Sequence, residues 1–284
     1  MVYTTCFNLP YDDKVATGSF DKTAKLWNIN NGQCLSTFKG HSGEIICLEF
    51  NKEEPLLITG STDKTAILWD LETEKNIYCI DKHNAEIINV SFNNDGEKIL
   101  TGSLDYTAKI FDVENGEEIY NLSEHNGEIT ACQFDYFGNM IVTSSNDKTI
   151  KLWDLRNSSK SLKTFVDHEG EVMDVCFNLI GNKIASGSSD CTAKIYDVKS
   201  LKTDFTLTGH KKEISKIVFN SRGNNLLTAS NDATCRLWDI ENGECFEILE
   251  GHKDEVFSCD FNFDGDIIIT AGKDDICKIW SINE

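Results

Sequence analysis

Residues 40–70, GHSGEIICLEFNKEEPLLITGSTDKTAILWD, hold the pattern that decides the fold of this chain. In this stretch His41 is followed after 22 residues by Asp63, and Trp69 lies six residues further on. The six histidines of the chain are spaced 42 or 43 residues apart, and an aspartate follows each of them at the same distance. A fixed period of this length indicates a repeat architecture in which each unit is one small module.

Four markers recur in the repeats: a histidine, a hydroxyl side chain, an aspartate and an aromatic residue. The first repeat lacks the histidine but has the other three, so seven copies are present. The histidines are His41, His83, His125, His168, His210 and His252; the hydroxyl residues are Thr17, Thr59, Thr101, Thr143, Ser186, Thr228 and Thr270; the aspartates are Asp21, Asp63, Asp105, Asp147, Asp190, Asp232 and Asp274; the aromatic residues are Trp27, Trp69, Phe111, Trp153, Tyr196, Trp238 and Trp280.

The sequence between the markers predicts four short β-strands in each repeat. Runs such as LLITGS (56–61) and TAILWD (65–70) are rich in β-branched and aromatic residues and are separated by turn residues, which is typical of all-β proteins. We therefore expect an all-β chain that forms a single domain over residues 1–284. The approximate repeats are 1–38, 39–80, 81–122, 123–165, 166–207, 208–249 and 250–284.

The period and the G-H…W-D frame resemble those of WD40 repeats, in which each repeat is one four-stranded blade of a β-propeller. The resemblance covers the whole chain and implies seven blades. The last repeat ends just after CKIW (277–280), so we expect a seventh blade without its outer strand. Either such a blade is tolerated, or the natural protein continues upstream with one further blade, which would make eight. We favour the second, because an open strand edge promotes aggregation.

The WD40 resemblance implies that the four markers form a hydrogen-bonded chain that joins the loop between blades to a turn within a blade. A catalytic role for the same residue types is not expected, because a catalytic set would occur once and this one recurs in every blade. Phe111 has no group to donate a hydrogen bond, whereas Tyr196 could donate through its hydroxyl. The predicted structural sets are His41, Thr59, Asp63 and Trp69; His125, Thr143, Asp147 and Trp153; His210, Thr228, Asp232 and Trp238; and His252, Thr270, Asp274 and Trp280.

The composition of the chain limits which binding partners and which enzymatic activities are expected. The chain has 27 Lys and Arg against 47 Asp and Glu, a formal net charge of −20, which disfavours nucleic acids and anionic membranes and favours basic protein segments. The 11 cysteines form no C-x-x-C pair, and the N-terminus has no signal-peptide pattern, so a reducing cytoplasmic location is expected. No hydrolase, nucleotide-binding or metalloprotease motif is found. We therefore predict a protein that is not an enzyme and has no metal, cofactor or small-molecule substrate.

Two sets of side chains are candidates for binding a partner. A glutamate stands three residues after every histidine, and the WD40 frame does not require an acid there; we expect these carboxylates to surround the mouth of a central channel and to receive a basic segment. Alternatively, Lys or Arg residues two before the aromatic marker neutralise them in a belt of ion pairs. The residue before each turn aspartate also varies between repeats, and two of these residues are candidate apolar contacts. The candidates are Glu44, Glu86, Glu128, Glu171, Glu213 and Glu255, together with Phe20 and Leu104.

Among WD40 proteins, the sequence resembles the family of dynein assembly factors with WD repeats. The stretches that carry the resemblance are FNLPYDDKVATGSFDKTAKLW (7–27), GHSGEIICLEFN (40–51) and GHKDEVFSCDFN (251–262). The resemblance implies an adaptor that links outer-arm dynein to intraflagellar transport components, located in the cytoplasm and at the cilium or flagellum and its basal body. A WD40 scaffold of another pathway, such as a ubiquitin-ligase substrate receptor or a signalling platform, is the alternative.

Overall fold

A computed structural model describes residues 2–8, 13–156 and 160–282 of the chain. Within these ranges the chain forms 27 β-strands and no helix, and the strands make seven antiparallel sheets. The prediction of an all-β propeller fold with seven repeats is thus confirmed. A helix long and apolar enough to span a membrane is not found in the described part of the chain.

The first four sheets each contain four strands that follow one another in chain order. Sheet one has β1 (Val2–Phe7), β2 (Lys14–Ser19), β3 (Thr23–Asn28) and β4 (Cys34–Lys39); sheet two has β5 (Ile45–Phe50), β6 (Leu56–Ser61), β7 (Ala66–Asp70) and β8 (Lys75–Ile80); sheet three has β9 (Ile87–Phe92), β10 (Lys98–Ser103), β11 (Ala108–Asp112) and β12 (Glu118–Leu122); sheet four has β13 (Ile129–Phe134), β14 (Met140–Ser145), β15 (Ile150–Asp154) and β16 (Ser161–Phe165).

Sheets five and six repeat this plan, and sheet seven has three strands within the described residues. Sheet five has β17 (Val172–Phe177), β18 (Lys183–Ser188), β19 (Thr192–Asp197) and β20 (Lys202–Thr208); sheet six has β21 (Ile214–Phe219), β22 (Asn225–Ser230), β23 (Thr234–Asp239) and β24 (Cys245–Glu250); sheet seven has β25 (Val256–Phe261), β26 (Ile267–Gly272) and β27 (Cys277–Ser281). The prediction that the last blade lacks an outer strand is confirmed for these residues.

The chain divides into two compact units. The first contains Met1–Asn139 and Asp154–Ser161, and the second contains Met140–Trp153 and Leu162–Glu284. In the first unit, sheets one and two bury a shared cluster that includes Leu26, Phe38 and Ile45. In the second unit, sheets six and seven do the same with a cluster that includes Leu237 and Val256. Burial between neighbouring sheets explains why inner strands such as β6 and β7 are buried on both faces, whereas outer strands such as β8 are largely exposed.

The tight turn between the second and third strands of each sheet fixes the position of the marker aspartate. In sheet two, Ser61 N donates to Thr65 O at 3.2 Å, and Lys64 N donates to Ser61 O at 3.2 Å. Lys64 lies in the left-handed region, with φ of 73°. Asp63 closes the turn, because its Oδ1 accepts hydrogen bonds from the backbone and the hydroxyl of Thr65. Its other carboxylate oxygen is left to face the histidine.

Candidate functional site

The markers of the second repeat form one continuous chain of hydrogen bonds. Nδ1 of His41 lies 3.0 Å from Oδ2 of Asp63, and Nε2 of His41 lies 2.8 Å from Oγ1 of Thr59. Nε1 of Trp69 donates to the same threonine oxygen at 2.9 Å. The Asp63 carboxylate also accepts the backbone N–H of Ser42 at 2.7 Å. This series of hydrogen bonds therefore joins the loop that precedes β5 to the turn between β6 and β7.

The same arrangement is present in other repeats. His210 lies 2.9 Å from Asp232 and 2.8 Å from Thr228, to which Trp238 donates at 2.9 Å. His252, Asp274, Thr270 and Trp280 form the equivalent set, with 3.0 Å from Nδ1 to Oδ1, 2.8 Å from Nε2 to Oγ1 and 2.9 Å from the indole to Oγ1. In the fourth repeat, His125 is buried and Trp153 donates to Thr143 at 2.9 Å, while Asp147 accepts hydrogen bonds from Thr149.

Three repeats depart from this set, each for a reason visible in its residues. The first lacks a histidine, yet Trp27 still donates to Thr17 at 2.9 Å. In the third, His83 contacts Asp105 and Thr101, but Phe111 has no group that could donate to the threonine. In the fifth, the buried Tyr196 hydroxyl makes no hydrogen bond of ordinary geometry to any described residue, although it lies near enough to Ser186 for that hydroxyl to lower its pKa, against the larger effect of burial. Tyr196 therefore replaces the tryptophan donor at best by a poorly formed contact.

Burial and hydrogen bonding set the protonation of the histidine–aspartate pairs. Burial lowers the pKa of His41 and of His168, and their aspartate partners oppose this only in part. Burial would raise the pKa of Asp63, but the hydrogen bond from Thr65, the proximity of His41 and the backbone N–H of Ser42 lower it to about 2. A neutral histidine between a carboxylate and a hydroxyl donates from Nδ1 and accepts at Nε2. His41 and His168 are thus each held in one tautomer, with both ring nitrogens hydrogen-bonded.

The predicted glutamates lie beside the variable residues that precede the turn aspartates. The backbone N–H of the variable residue donates to the backbone oxygen of the glutamate in five repeats, at 2.8–3.0 Å; the pairs are Thr62 with Glu44, Leu104 with Glu86, Ser189 with Glu171, Asn231 with Glu213 and Lys273 with Glu255. These bonds place the two candidate sets next to each other in each of these five repeats. Glu128 is half-buried at the start of β13.

Side-chain contacts connect some of these pairs as well. Thr62 donates to Glu44 at 2.8 Å, Asn231 donates to Glu213 at 3.1 Å, and Lys273 contacts Glu255 at 3.0 Å. The lysines expected to neutralise the glutamates bind instead to the outer strand of their own sheet: Lys109 contacts Glu118, Lys151 contacts Thr164 and Lys194 contacts Thr206. These contacts give no support to the belt of ion pairs.

The two apolar candidates differ in exposure. Phe20 is 40% exposed and packs against the ring of Tyr3, with 5.5 Å between ring centroids. Leu104 is half-buried. Phe20 and Tyr3 therefore form an exposed aromatic pair, whereas Leu104 offers only part of its side chain.

Lysines that follow the turn aspartate were not singled out from the sequence. Lys22 Nζ donates to the backbone oxygen of Ser42 at 2.7 Å, and Lys148 Nζ donates to that of Glu169 at 2.8 Å. Both lysines have left-handed backbone conformations, with φ of 71° and 70°. They tie the turn of one repeat to the loop that opens the next. The signal was present in the sequence as a lysine directly after Asp21, Asp63 and Asp147.

The reactive residue types of these repeats are largely buried. The histidines and the hydroxyl residues of the complete sets are buried, as are their aromatic residues except the half-buried Trp280, and in the described ranges no group of three or more His, Cys, Asp and Glu side chains is arranged to hold a metal ion. Burial raises the pKa of Cys47 and of Cys132 far above the ordinary value, so these thiols are poor nucleophiles. Of the six candidate glutamates, Glu171 and Glu213 are exposed and the other four are half-buried.

The chain matches the family model "WD domain, G-beta repeat" in seven segments. The matched residues are 2–28, 32–70, 74–112, 116–154, 159–197, 201–239 and 243–281. Each segment ends at or next to the end of a third strand, where the aromatic marker lies.

Curated relatives share short stretches with this chain. Mitogen-activated protein kinase kinase kinase A of Dictyostelium discoideum is 47% identical over 47 residues, which is 16% of this chain and 5% of that protein. An uncharacterized WD repeat-containing protein of Schizosaccharomyces pombe is 43% identical over 44 residues, 16% of this chain and 12% of the relative. The matches span a small part of each relative, about the length of one repeat.

Proposed function

Because the chain belongs to the WD40 repeat family, we propose that it is a non-catalytic scaffold that binds other proteins through the loops carrying the glutamates and the variable residues. WD40 repeats are typical of proteins that act through protein–protein interactions. The observation that carries the proposal is the hydrogen-bonding of the markers: His41 and Thr59 use their polar groups in a buried structural chain. The histidine and hydroxyl residues, which are the residue types most often used in catalysis, therefore have a structural role here.

The partner expected at these loops is a basic segment of a protein. The variable residue beside each glutamate differs between repeats, from Thr62 to Leu104 to Lys273, so each repeat offers a carboxylate with a different neighbour. An interface needs such variation to select one partner. The net charge of −20 adds long-range attraction for a basic surface.

The partners we propose are outer-arm dynein and intraflagellar transport components, which the protein would join as an adaptor in the cytoplasm and at the cilium or flagellum and its basal body. Support comes from the stretches at 7–27, 40–51 and 251–262, which resemble the dynein assembly factors with WD repeats. Residues 9–12 of the first stretch lie outside the described residues.

A pull-down with the tagged chain from an extract of ciliated cells tests this proposal. Recovery of outer-arm dynein subunits together with intraflagellar transport proteins, identified by mass spectrometry, is the expected result. A chain carrying Thr228→Val and His210→Ala, in which one structural set is broken, is the control. It shows whether capture of the partners depends on the folded protein.

A signalling platform is the second candidate, and the similarity to a mitogen-activated protein kinase kinase kinase favours it. Recovery of protein kinases without dynein subunits in the same pull-down would replace the dynein proposal with this one. Recovery of neither, from an extract in which a known dynein adaptor does capture its partners, would reject both.

A further inference from the structure

Sheet six exposes two large apolar side chains on its outer strand. Phe246 and Ile248 of β24 are 49% and 42% exposed, and they lie two residues apart, which puts them on the same face of the sheet. Arg236 of β23 is the direct cross-strand partner of Ile248, so its side chain lies on that face as well. All three residues belong to the second compact unit. We call the surface formed by Arg236, Phe246 and Ile248 the β24 face.

The guanidinium of Arg236 is poorly satisfied by the described residues. Its Nε is buried without a hydrogen-bond partner, and its Nη1 donates to the sulfur of Cys245 at 3.9 Å. A thiol sulfur is a weak acceptor, whereas a guanidinium has five N–H groups to donate. Arg236 as a whole is half-buried, so part of the side chain stays accessible from solvent. The β24 face therefore offers a positive charge that needs an acceptor.

The equivalent cation of sheet three shows which group sheet six lacks. In the strand register, Lys109 stands at the position of Arg236, and Glu118 stands at the position of Cys245. Nζ of Lys109 lies 2.8 Å from a carboxylate oxygen of Glu118. A thiol in sheet six thus occupies the place that a carboxylate has in sheet three.

Sheet five gives a second comparison at the same register. Lys194 stands at the position of Arg236, and its Nζ lies 3.1 Å from the hydroxyl of Thr206, its cross-strand partner. In sheet six the cross-strand partner of the cation is Ile248, which has no acceptor. Sheet six therefore lacks both kinds of oxygen acceptor that sheets three and five provide, and it has an exposed aliphatic side chain instead.

We propose that the β24 face binds a segment of a partner protein in which an Asp or Glu side chain stands next to an aliphatic one. The carboxylate pairs with Arg236, as Glu118 pairs with its lysine in sheet three, and the aliphatic side chain covers Phe246 and Ile248. Charge complementarity selects this occupant, because a guanidinium binds a carboxylate through two parallel hydrogen bonds. Arginine and aromatic residues are also enriched in the interfaces of protein complexes. The site lies on an outer strand and not on the loops that carry the glutamates, so it does not depend on the function proposed above.

Two peptides that differ in one group test the need for a carboxylate. The probes are leucyl-glutamyl-leucine and leucyl-glutaminyl-leucine, both blocked at their ends, titrated into the isotope-labelled full chain. Binding is followed by the NMR signals of the Arg236 Nε–H and of the β24 backbone amides. The glutamyl peptide is expected to bind at least about tenfold more tightly, because hydrogen bonds to charged groups are stronger than neutral ones. Equal dissociation constants, or no shift of these signals with either peptide, would overturn the proposal.

A carboxylate supplied by the chain itself is expected to close the site. Cys245→Glu gives sheet six the acid that Glu118 provides in sheet three, and it should weaken binding of the glutamyl peptide at least about tenfold. Cys245→Gln is its matched control, since it has the same size without the charge and should weaken binding much less. If Cys245→Glu bound the glutamyl peptide as tightly as the wild type does, the assignment of Arg236 as the receptor of the carboxylate would be wrong.

Removing the cation should have the same effect at this position only. Arg236→Gln is expected to weaken binding of the glutamyl peptide at least about tenfold, whereas Arg236→Lys keeps the charge without the paired donors and should have an intermediate effect. Lys194→Gln removes the cation at the same position of sheet five and is expected to bind like the wild type. Equal binding by Arg236→Gln and Lys194→Gln contradicts the proposal, and melting temperatures near that of the wild type show that the variants are folded.

Discussion

Nε1 of Trp238 donates a hydrogen bond to Oγ1 of Thr228 at 2.9 Å, from β23 to the neighbouring strand β22. Nε2 of His210 lies 2.8 Å from the same oxygen. Thr228 is fully buried, so no water can take the place of either contact. The Thr228 hydroxyl therefore links β22 to β23 through Trp238 and to the loop that precedes β21 through His210. Its loss should weaken both connections.

Replacing Thr228 with valine should destabilise the protein strongly. The substitution keeps the shape but leaves the buried Trp238 indole and His210 ring nitrogen without partners, at a cost of about 2–4 kcal/mol for two unsatisfied groups. Thermal unfolding followed by circular dichroism measures the effect. Thr228→Ser is the matched control, because Ser186 fills this position in the fifth repeat and lies 2.7 Å from His168. Equal melting temperatures for the two variants would contradict this account of the hydroxyl.

Replacing Tyr196 with phenylalanine should leave stability unchanged or raise it. Among the described residues the buried Tyr196 hydroxyl makes no hydrogen bond of ordinary geometry, with Ser186 as its nearest candidate, and removing a poorly satisfied buried hydroxyl gains up to about 1–2 kcal/mol. The ring contact with Phe165, at 4.4 Å between centroids, should be kept. Trp238→Phe is the comparison, since it removes a hydrogen bond that is made. If Tyr196→Phe lowered the melting temperature as much as Trp238→Phe, the hydroxyl would have a partner in solution.

Replacing Glu49 with glutamine should stabilise the protein increasingly as the pH rises. Burial raises the pKa of Glu49 to about 7, although the N–H of Phe92, which donates to its Oε2 at 2.8 Å, opposes the shift. A carboxyl with a raised pKa is protonated in both the folded and the unfolded state at low pH, and its stabilising contribution is lost as the pH rises through the folded-state value. Glutamine keeps an oxygen for Phe92 and never ionises.

The difference in melting temperature between Glu49→Gln and the wild type should therefore grow from about pH 4.5, the ordinary pKa of the carboxyl, to about pH 7, its pKa in the folded protein, and then level off. Glu53→Gln is the control, because Glu53 is exposed. A difference that is constant with pH, or that shrinks as the pH rises, would show that Glu49 is well solvated in the folded protein.

The fold was predictable because the repeats share residue types at the same spacing, and each of these types has a defined physical role. Trp69 and Asp63 recur at set distances from His41, and in the folded chain His41 and Trp69 meet at Thr59 while Asp63 binds the other side of the His41 ring. Departures from the hydrogen-bonded set of markers were also partly predictable, since the Phe111 side chain has no hydrogen-bond donor. It was not predictable that the Tyr196 hydroxyl makes no well-formed hydrogen bond among the described residues. Whether a phenol reaches a neighbour depends on the position of its ring and not on the residue type.

The surroundings of the glutamates could not be derived from the sequence. The pairing of Glu86 with Leu104 results from a backbone hydrogen bond across 18 residues, and a repeat pattern shows such a contact only after the register of the strands is known. The same holds for Lys109, which contacts Glu118 of its own sheet. Both residues were visible in the sequence, but their partners depend on the direction in which each strand turns its side chains.

The binding of a partner by the glutamates is the central claim, and a quantitative pull-down with charge-reversed chains tests it most directly. One chain carries Glu86, Glu171 and Glu213 changed to Lys, and a second carries the same change at Glu53, Glu97 and Glu114, which are exposed on other turns. The two chains have equal net charge, so long-range attraction is weakened equally in both. We predict that the first loses at least about tenfold more of the recovered partners than the second. Equal recovery by both chains would contradict the assignment of these glutamates as the binding surface.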